Sequence, residues 1–323
     1  MAHVTFIHGI GQKPAADALL GIWRRALTRR VGPVPDGAAD DGLDLGAEGV
    51  ETSLIYWADV LYPAPDPDVA AHESANEFEA LASDLGGIGE TITLDQAEDP
   101  EWLARLTAKL VLHDPTLLLP AGPEPPGAPA KPGSAERFPL PWALKQRFLA
   151  AYLRDVHHYL FDVEWTPRPG ETYRVQQEIR RRFVRALEAG AAHGPPHVVV
   201  SHSMGTVIAY DCLKRVPGCP PIDSLVTLGS PLGIDEVQDK LQPGWTRDDG
   251  FPRPGVGGDW VNIFDRLDVV AALDPELAND YRTGGERTVR DIEEPNYGAW
   301  RHSLRKYFEG PKLRAELRRL LDL

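Results

Sequence analysis

The sequence predicts an α/β fold with a mostly parallel β-sheet. Short apolar runs of strand length alternate along the chain with segments whose apolar residues recur at helical spacing. That alternation is typical of strand–helix–strand units. The chain has 323 residues, of which 42% are hydrophobic. This is enough for one large α/β domain that carries an insertion.

The first strand–helix–strand unit begins almost at the first residue. Residues 4–7 form an apolar run that leads into a glycine-containing turn at residues 8–11. The helix predicted next is marked by apolar residues at helical spacing, Leu19, Leu20, Trp23 and Leu27. Residues 52–57 have the composition of a second strand, so the unit is complete.

The α/β alternation stops between residues 63 and 165. Of the 30 prolines in the chain, 13 lie between Pro63 and Pro141, and residues 120–134 contain six prolines and three glycines. Helices are still predicted on either side of this loop, one with Asp99 as its N-cap and one over residues 142–160. We therefore expect a helical, proline-rich lid at residues 63–165 on a core formed by residues 1–62 and 166–323.

The alternation resumes after the insertion. A helix is predicted near residues 175–190, and the strands predicted after it cover residues 197–201, 224–228, 260–264 and 287–292. The last of these strands is the most polar. A closing helix is expected over residues 304–321, with an interruption at Gly310, which precedes a proline.

Ser203 stands at the most informative point of the chain, between the apolar strand at residues 197–201 and the helix that follows. A serine on a sharp strand-to-helix turn has its hydroxyl lifted above the end of the sheet. The start of the helix behind it offers backbone N–H groups that have no intrahelical acceptor. This pattern is typical of a nucleophile elbow.

Three strings together resemble the α/β-hydrolases of the lipase and esterase type. They are FIHGIG at residues 6–11, VVSHSMG at residues 199–205 and TLGSPL at residues 227–232. The resemblance covers roughly residues 1–60 and 165–323. It implies a Ser–Asp–His triad, an acyl-enzyme intermediate and no cofactor or metal. The chain begins at what resembles the third strand of that family, so we expect a sheet of roughly six strands that lacks the first two.

In that family the acid and the histidine follow the serine in chain order. Of the ten histidines, His302 alone lies after Ser203, in the loop before the closing helix where the base belongs. Asp268 is the favoured acid because the two valines after it would seat it in an apolar pocket. Asp265, at the strand tip, is the reserve candidate and more naturally braces the turn.

An oxyanion hole needs two convergent N–H groups. One is expected from Met204, directly after the nucleophile. The other is expected from the first strand-to-helix loop, with the N–H of Ile10 as first choice and that of Gly11 as second. In the same region we expect His8 to brace the loop rather than to act as a base.

Six residues are candidates for lining the pocket, His8, Gly9, Trp57, Ser230, Pro231 and Leu232. They follow the carboxyl ends of predicted strands, where substrates bind in open α/β sheets. A plain turn is an equally good interpretation of residues 229–233, and a core position is an equally good interpretation of Trp57. His202 is interpreted as structural.

The composition excludes several classes of partner. A formal net charge of −14 argues against binding to nucleic acid or to anionic lipid, both of which attract Lys and Arg. The two cysteines, Cys212 and Cys219, are expected to be reduced thiols. We find neither a signal peptide nor an apolar stretch of membrane-spanning length, so a cytoplasmic protein without integral membrane association is expected.

The sequence thus predicts a serine hydrolase that cleaves a small-molecule carboxylic ester or thioester. Two other functions stay open. The same triad would serve an acyltransferase, which passes the acyl group to an alcohol or amine instead of water. A catalytically silent hydrolase fold used for binding is the third interpretation.

Overall fold

The computed structural model describes residues 1–29, 42–73, 93, 96–113, 142–284, 286–287, 289–297 and 300–323. The proline-rich loop at residues 120–134 lies outside the described residues. The described strands are β1 (His3–Ile7), β2 (Glu51–Ile55), β3 (Glu164–Arg168), β4 (Glu171–Arg174), β5 (His197–His202), β6 (Ser224–Leu228), β7 (Trp260–Phe264), β8 (Arg282–Thr283), β9 (Glu286–Arg287) and β10 (Val289–Glu293).

Seven of the ten described α-helices lie where the sequence predicts a helix, and the short helices α2, α3 and α8 were not predicted. They are α1 (Ala16–Thr28), α2 (Ala58–Leu61), α3 (Val69–Glu73), α4 (Pro100–His113), α5 (Trp142–Leu160), α6 (Val175–Ala191), α7 (Met204–Arg215), α8 (Asp235–Leu241), α9 (Leu304–Glu309) and α10 (Pro311–Leu321). Two short 3-10 helices cover Ala271–Leu273 and Leu277–Asn279. The break between α9 and α10 falls at Gly310, as predicted.

Six of the described strands form one sheet in the order β10-β7-β6-β5-β1-β2, and its neighbouring strands are parallel. This confirms the predicted α/β class and the expected number of strands. Strand order reverses between β1 and β5, whose register pairs Ile7 with Ser201. Ligands of open α/β sheets bind at the carboxyl ends of the strands beside such a reversal. Here those two ends lead into residues 8–11 and into Ser203.

Helices cover both faces of this sheet because the strand side chains alternate between them. Val198 and Val200 of β5 belong to a core shared with α1, α9 and α10, whereas Val199 belongs to a second core on the opposite face. That second core contains apolar residues of α6 and α7 together with those of α4 and α5. Both faces are therefore buried, as a parallel sheet requires.

Two described helices of the insertion, α4 and α5, are part of this second core. Asp99 caps α4 as predicted, its Oδ1 accepting the Trp102 N–H at 2.9 Å. Trp102 and Tyr152 are fully buried, and the Trp102 indole N–H donates to the Glu236 carbonyl at 2.6 Å. Helices α4 and α5 are thus held by apolar burial and by hydrogen bonds to the rest of the domain.

Two details of the strand pattern were not predicted. Strands β3 and β4 form an antiparallel hairpin at the end of a segment expected to be helical. Trp165 pairs with Tyr173 across it, and the Thr166 and Thr172 hydroxyls lie 2.8 Å apart, so β-forming residues flank a Pro-Gly turn. The last sheet strand, predicted at residues 287–292, is β10, because residues 286–287 pair with β8 instead.

Among the helices of the described residues, none combines the length and the apolarity that a membrane crossing requires.

Candidate active site

Ser203 occupies a strained turn between β5 and α7. Its φ of 54° and ψ of −129° lie in a region that non-glycine residues rarely adopt. The turn is held by the Ser203 N–H, which donates to the Leu228 carbonyl at 2.9 Å. Gly205 allows α7 to approach β1, since a Cβ there would lie 2.6 Å from the His8 carbonyl oxygen. This is the local geometry that the sequence predicts for a nucleophile elbow.

Ser203, His302 and Asp268 form one hydrogen-bonded chain. The Ser203 Oγ lies 2.9 Å from the His302 Nε2, in position to donate its proton to that nitrogen. On the other side of the ring, the His302 Nδ1–H donates to Asp268, with distances of 2.7 Å and 2.9 Å to the two carboxylate oxygens. All three side chains are buried. The structure therefore brings together the three residues that the sequence predicts as a triad.

The Asp268 carboxylate is held by several donors besides His302. Its Oδ1 accepts the Val270 N–H at 2.8 Å and the Ala271 N–H at 3.2 Å, and its Oδ2 accepts the Tyr307 hydroxyl at 2.7 Å. Burial acts to raise the pKa of Asp268, but the charge of His302 and these hydrogen bonds outweigh it and lower the pKa. Asp268 is therefore a buried anion oriented toward His302.

Asp265, the reserve candidate for the acid, contacts other groups. Its Oδ1 accepts the Leu267 N–H at 2.7 Å. Its Oδ2 accepts the Asn296 N–H at 2.6 Å and a guanidinium N–H of Arg301 at 3.1 Å. Asp265 thus braces its own turn and the loop that leads to His302, and the structure favours Asp268 as the acid of the triad.

Tyr307 is a site residue that the sequence analysis missed. Its hydroxyl donates to Asp268 and accepts the Asp265 N–H at 3.1 Å, so it joins the two aspartates. Burial and the neighbouring Asp268 charge raise the pKa of Tyr307 well above its ordinary value, which keeps the hydroxyl a donor. In the sequence Tyr307 stands at an apolar position of a helix, and nothing marks it as other than core.

The two candidate oxyanion donors come from α7 and from the loop at residues 8–11, here called the oxyanion loop. Met204 is the first residue of α7, where an N–H has no intrahelical acceptor. Gly9 brings the oxyanion loop against the nucleophile, because a Cβ on it would lie 2.7 Å from the Ser203 Cβ. The Gly11 N–H, the second choice, donates to Asp155 at 2.9 Å. It is engaged away from the site, which leaves Ile10 as the candidate in this loop.

His8 braces the oxyanion loop, as predicted. Its Nδ1–H donates to the Gly9 carbonyl at 2.8 Å, and its Nε2 accepts the Trp57 N–H at 3.0 Å. Burial, together with the nearby Lys13 and Arg182 charges, lowers the pKa of His8 to about 3. His8 is therefore neutral at pH 7, and it stacks on the Trp57 ring at a centroid distance of 4.7 Å.

His202 positions the main chain of the candidate base. Its Nε2–H donates to the His302 carbonyl at 3.0 Å, and the two rings lie 4.8 Å apart. Burial and the neighbouring His302 lower the pKa of His202 well below its ordinary value. His202, predicted to be structural, supports the main chain of His302 through this contact.

An open cleft leads to Ser203, with about 710 Å³ of space when its solvent-open mouth is included. One wall is apolar and comes from α1, with the residues Leu19, Ile22, Trp23 and Ala26. Trp300 and Leu304 also line the cleft. Among the described residues of the insertion, His72 alone belongs to this lining.

Of the six predicted pocket residues, His8 and Gly9 line this cleft. The other four lie elsewhere. Trp57 is a core residue whose indole N–H donates to the His8 carbonyl at 3.0 Å. The Ser230 hydroxyl accepts the Leu232 N–H at 3.2 Å and lies 2.8 Å from the Thr206 hydroxyl, so residues 230–232 form a buried turn.

The described part of the chain also contains metal-binding side-chain types and thiols outside the triad. No group of three or more His, Cys, Asp or Glu side chains there could hold a metal ion. Cys212 and Cys219 are free thiols. Burial raises the pKa of Cys212 well above its ordinary value, so it is not a reactive thiolate at neutral pH.

Comparisons with known proteins identify no family. No family model matches the chain, and no curated protein matches it. One similar solved structure is that of an uncharacterized protein from Pseudomonas aeruginosa, 12% identical over 97% of this chain, with a TM-score of 0.28. This chain spans 47% of that protein's chain. Similarity at this level carries no functional information.

Proposed function

We propose that the protein is a serine hydrolase of the α/β-hydrolase type that cleaves a small-molecule carboxylic ester or thioester. The observation that carries the proposal is the hydrogen-bonded chain from Ser203 through His302 to Asp268. It lies at the point where strand order reverses in a parallel sheet. A buried serine hydroxyl bonded to an imidazole, itself oriented by a buried carboxylate, is the arrangement that activates a serine for acyl transfer.

The first half of the proposed reaction forms an acyl-enzyme. The Ser203 Oγ attacks the carbonyl carbon of the ester while its proton passes to the His302 Nε2. Asp268 stabilises the imidazolium that forms. The N–H groups of Ile10 and Met204 donate hydrogen bonds to the oxyanion that forms on the carbonyl oxygen. His302 then returns the proton to the leaving alcohol or thiol as the carbon–oxygen or carbon–sulfur bond breaks.

The second half of the reaction releases the acid. Water enters from the cleft, gives its proton to His302 and attacks the acyl carbon, and the same two N–H groups stabilise the second oxyanion. The proton returns to the Ser203 Oγ when the acyl bond breaks. Each proton and electron pair in this cycle is supplied by the ester, the water and the three side chains.

The lid function of residues 63–165 and the cytoplasmic location remain predictions. Two observations support a function for the insertion. Its helix α5 contacts the oxyanion loop through Asp155, and its residue His72 lines the cleft.

The test is turnover of short p-nitrophenyl esters by Ser203→Ala. Because the triad acts as a unit, we expect a loss on the order of 10³-fold or more in kcat. Ser224→Ala is the matched control, since Ser224 is a buried serine at the start of β6, at the amino ends of the strands, whereas Ser203 follows the carboxyl end of β5. Equal turnover by both variants would refute the proposal. If the acyl group is transferred to an added alcohol instead of to water, the protein is an acyltransferase.

A further inference from the structure

Asp155 is a buried carboxylate outside the proposed triad that contacts the proposed active site. It lies on α5, within the insertion, and is 0% exposed. Its Oδ2 accepts the Gly11 N–H at 2.9 Å across a sequence separation of 144 residues. A buried carboxylate is costly unless its charge and its lone pairs are satisfied. A function that requires this carboxylate explains its presence better than packing does.

The other partners of Asp155 hold it in place. The Arg154 guanidinium, itself 2% exposed, donates to the Asp155 Oδ1 from Nε at 3.0 Å and from Nη2 at 2.8 Å. The Tyr62 hydroxyl donates to the Asp155 Oδ2 at 3.0 Å, and the Arg154 guanidinium lies 4.7 Å above the Tyr62 ring. The carboxylate is therefore fixed from three sides.

The oxyanion loop has little freedom once both of its ends are held. At its start, His8 is fixed by hydrogen bonds to the Gly9 carbonyl and from the Trp57 N–H. At its end, Gly11 is fixed by Asp155. Ile10 lies between these two anchors, so the direction of its N–H depends on both of them.

We infer that Asp155 is a positioning residue for the oxyanion hole. By accepting the Gly11 N–H, it sets the loop conformation in which the Ile10 N–H points toward the carbonyl oxygen at Ser203. It also holds the Gly11 N–H away from the cleft, so that the N–H groups of Ile10 and Met204 are the ones left to bind the oxyanion. This inference rests on the proposed function. It gives the insertion a second contribution, because α5 supplies part of the support of the site.

The test compares two double variants that both remove the buried ion pair. Arg154→Met with Asp155→Asn keeps a side-chain oxygen that accepts the Gly11 N–H. Arg154→Met with Asp155→Leu removes that acceptor at similar volume. Thermal unfolding is measured on both. If the leucine variant fails to fold, Asp155→Asn and Asp155→Ser replace the pair, because serine is too short to reach Gly11.

The readout is binding of a trifluoromethyl ketone and of the corresponding methyl ketone. With the fluorinated ligand, the Ser203 Oγ adds to the carbonyl carbon, its proton passes to His302 and the oxygen becomes an oxyanion. We expect the leucine variant to bind the fluorinated ketone at least tenfold more weakly than the asparagine variant. KM for a neutral ester and affinity for the methyl ketone should stay within about twofold, since loss of an oxyanion donor acts on the transition state.

Tyr62→Phe is the graded comparison. It removes one of the donors that hold the same carboxylate oxygen but leaves the Gly11 hydrogen bond, so its loss of affinity for the fluorinated ketone should be smaller than that of the leucine variant. Equal affinity of the leucine and asparagine variants would overturn the inference. An equal loss of affinity for both ketones would also overturn it, because that result indicates general damage to the cleft.

Amide hydrogen exchange separates this inference from the proposed function. The Gly11 N–H should exchange at least tenfold faster in the leucine variant than in the asparagine variant, whether or not any ester is cleaved. Unchanged exchange would refute the positioning function of Asp155. Failure of the wild-type protein to form a ketone adduct, with the expected exchange difference intact, would instead count against the serine hydrolase.

Discussion

The Tyr307 hydroxyl donates a 2.7 Å hydrogen bond to Asp268 and accepts the Asp265 N–H at 3.1 Å. One buried phenol thus joins the candidate acid to the strand tip at Asp265, which in turn holds the loop leading to His302. The charge and the position of Asp268 both depend on this contact.

Tyr307→Phe should reduce kcat/KM roughly tenfold, which corresponds to about 1.4 kcal/mol of transition-state stabilisation. The Tyr307 hydrogen bond lowers the pKa of Asp268, so its loss should raise that pKa and let the carboxylate hold a proton at higher pH. We therefore expect the acid limb of the pH–rate profile to move to higher pH. Tyr173→Phe, which removes a phenol hydroxyl from the β3–β4 hairpin, is the control and should change neither kcat/KM nor the pH–rate profile. A tenfold loss without any movement of the profile would indicate that Tyr307 only supports packing.

Asp268→Asn and Asp265→Asn should differ sharply. Loss of the charge that orients His302 should lower kcat on the order of 10³- to 10⁴-fold, by analogy with the acid of serine protease triads. Asp265→Asn should cost roughly tenfold or less in kcat, together with about 1–2 kcal/mol in the free energy of unfolding. Steady-state kinetics and urea unfolding measure both effects. Equal losses of kcat would contradict the assignment of Asp268.

The protein should lose stability in mild acid because several histidines are buried in the neutral form. Burial lowers the pKa of His8 to about 3 and the pKa values of His3, His157 and His158 to about 4. For a histidine with a lowered pKa, the unfolded chain binds the proton first. The stability contribution is therefore complete above pH 6.5 and is lost as the pH falls from about 6.5 toward the folded pKa.

His158→Phe tests this pH dependence at one position. The His158 ring lies in an edge contact with Trp165, which a phenyl ring can keep. Between pH 7.5 and pH 5 the wild-type free energy of unfolding should fall by on the order of 2 kcal/mol more than that of the variant. Urea unfolding at the two pH values gives both numbers. A wild-type loss no greater than that of His158→Phe would contradict the prediction.

The apolar wall of the cleft should set the preferred chain length of the ester. Ile22 of α1 lines this wall, and Ile22→Ala removes volume beside the substrate without a change of charge. We expect the optimum in a series of p-nitrophenyl esters to move to longer chains, by about two carbons. Ile179→Ala, a similar truncation on the opposite face of the sheet, is the control. An unchanged optimum in Ile22→Ala would show that the chain binds elsewhere.

Local signals predicted most of the fold and the three residues of the proposed triad. The strand, turn and helix around Ser203 are encoded by neighbouring residues. His302 is predicted as the base because it is the one histidine after the serine. The choice between Asp268 and Asp265 also used local context, the two valines after Asp268.

The supporting residues could not be predicted because their contacts are long-range. Tyr307 lies 39 residues from Asp268, and Asp155 lies 144 residues from Gly11. Each stands at a position where the local pattern indicates only a helix. The candidate lining residues Ser230, Pro231 and Leu232 lie outside the described cleft for a related reason. They do follow the carboxyl end of β6, but hydrogen bonds to Thr206, Gln238 and Tyr281 turn them into the interior.

The central claim is that His302 and Asp268 make the Ser203 hydroxyl a nucleophile, and covalent labelling tests it most directly. The protein is incubated at pH 7.5 with a fluorophosphonate, and the adduct is located by mass spectrometry. An activated serine oxygen bonds to the phosphorus of this reagent, gives its proton to the base and displaces fluoride. One label per chain on Ser203, absent in Ser203→Ala and at least 10²-fold slower in Asp268→Asn, is the predicted result. No label on Ser203, or equal labelling rates in the wild type and Asp268→Asn, would contradict the claim.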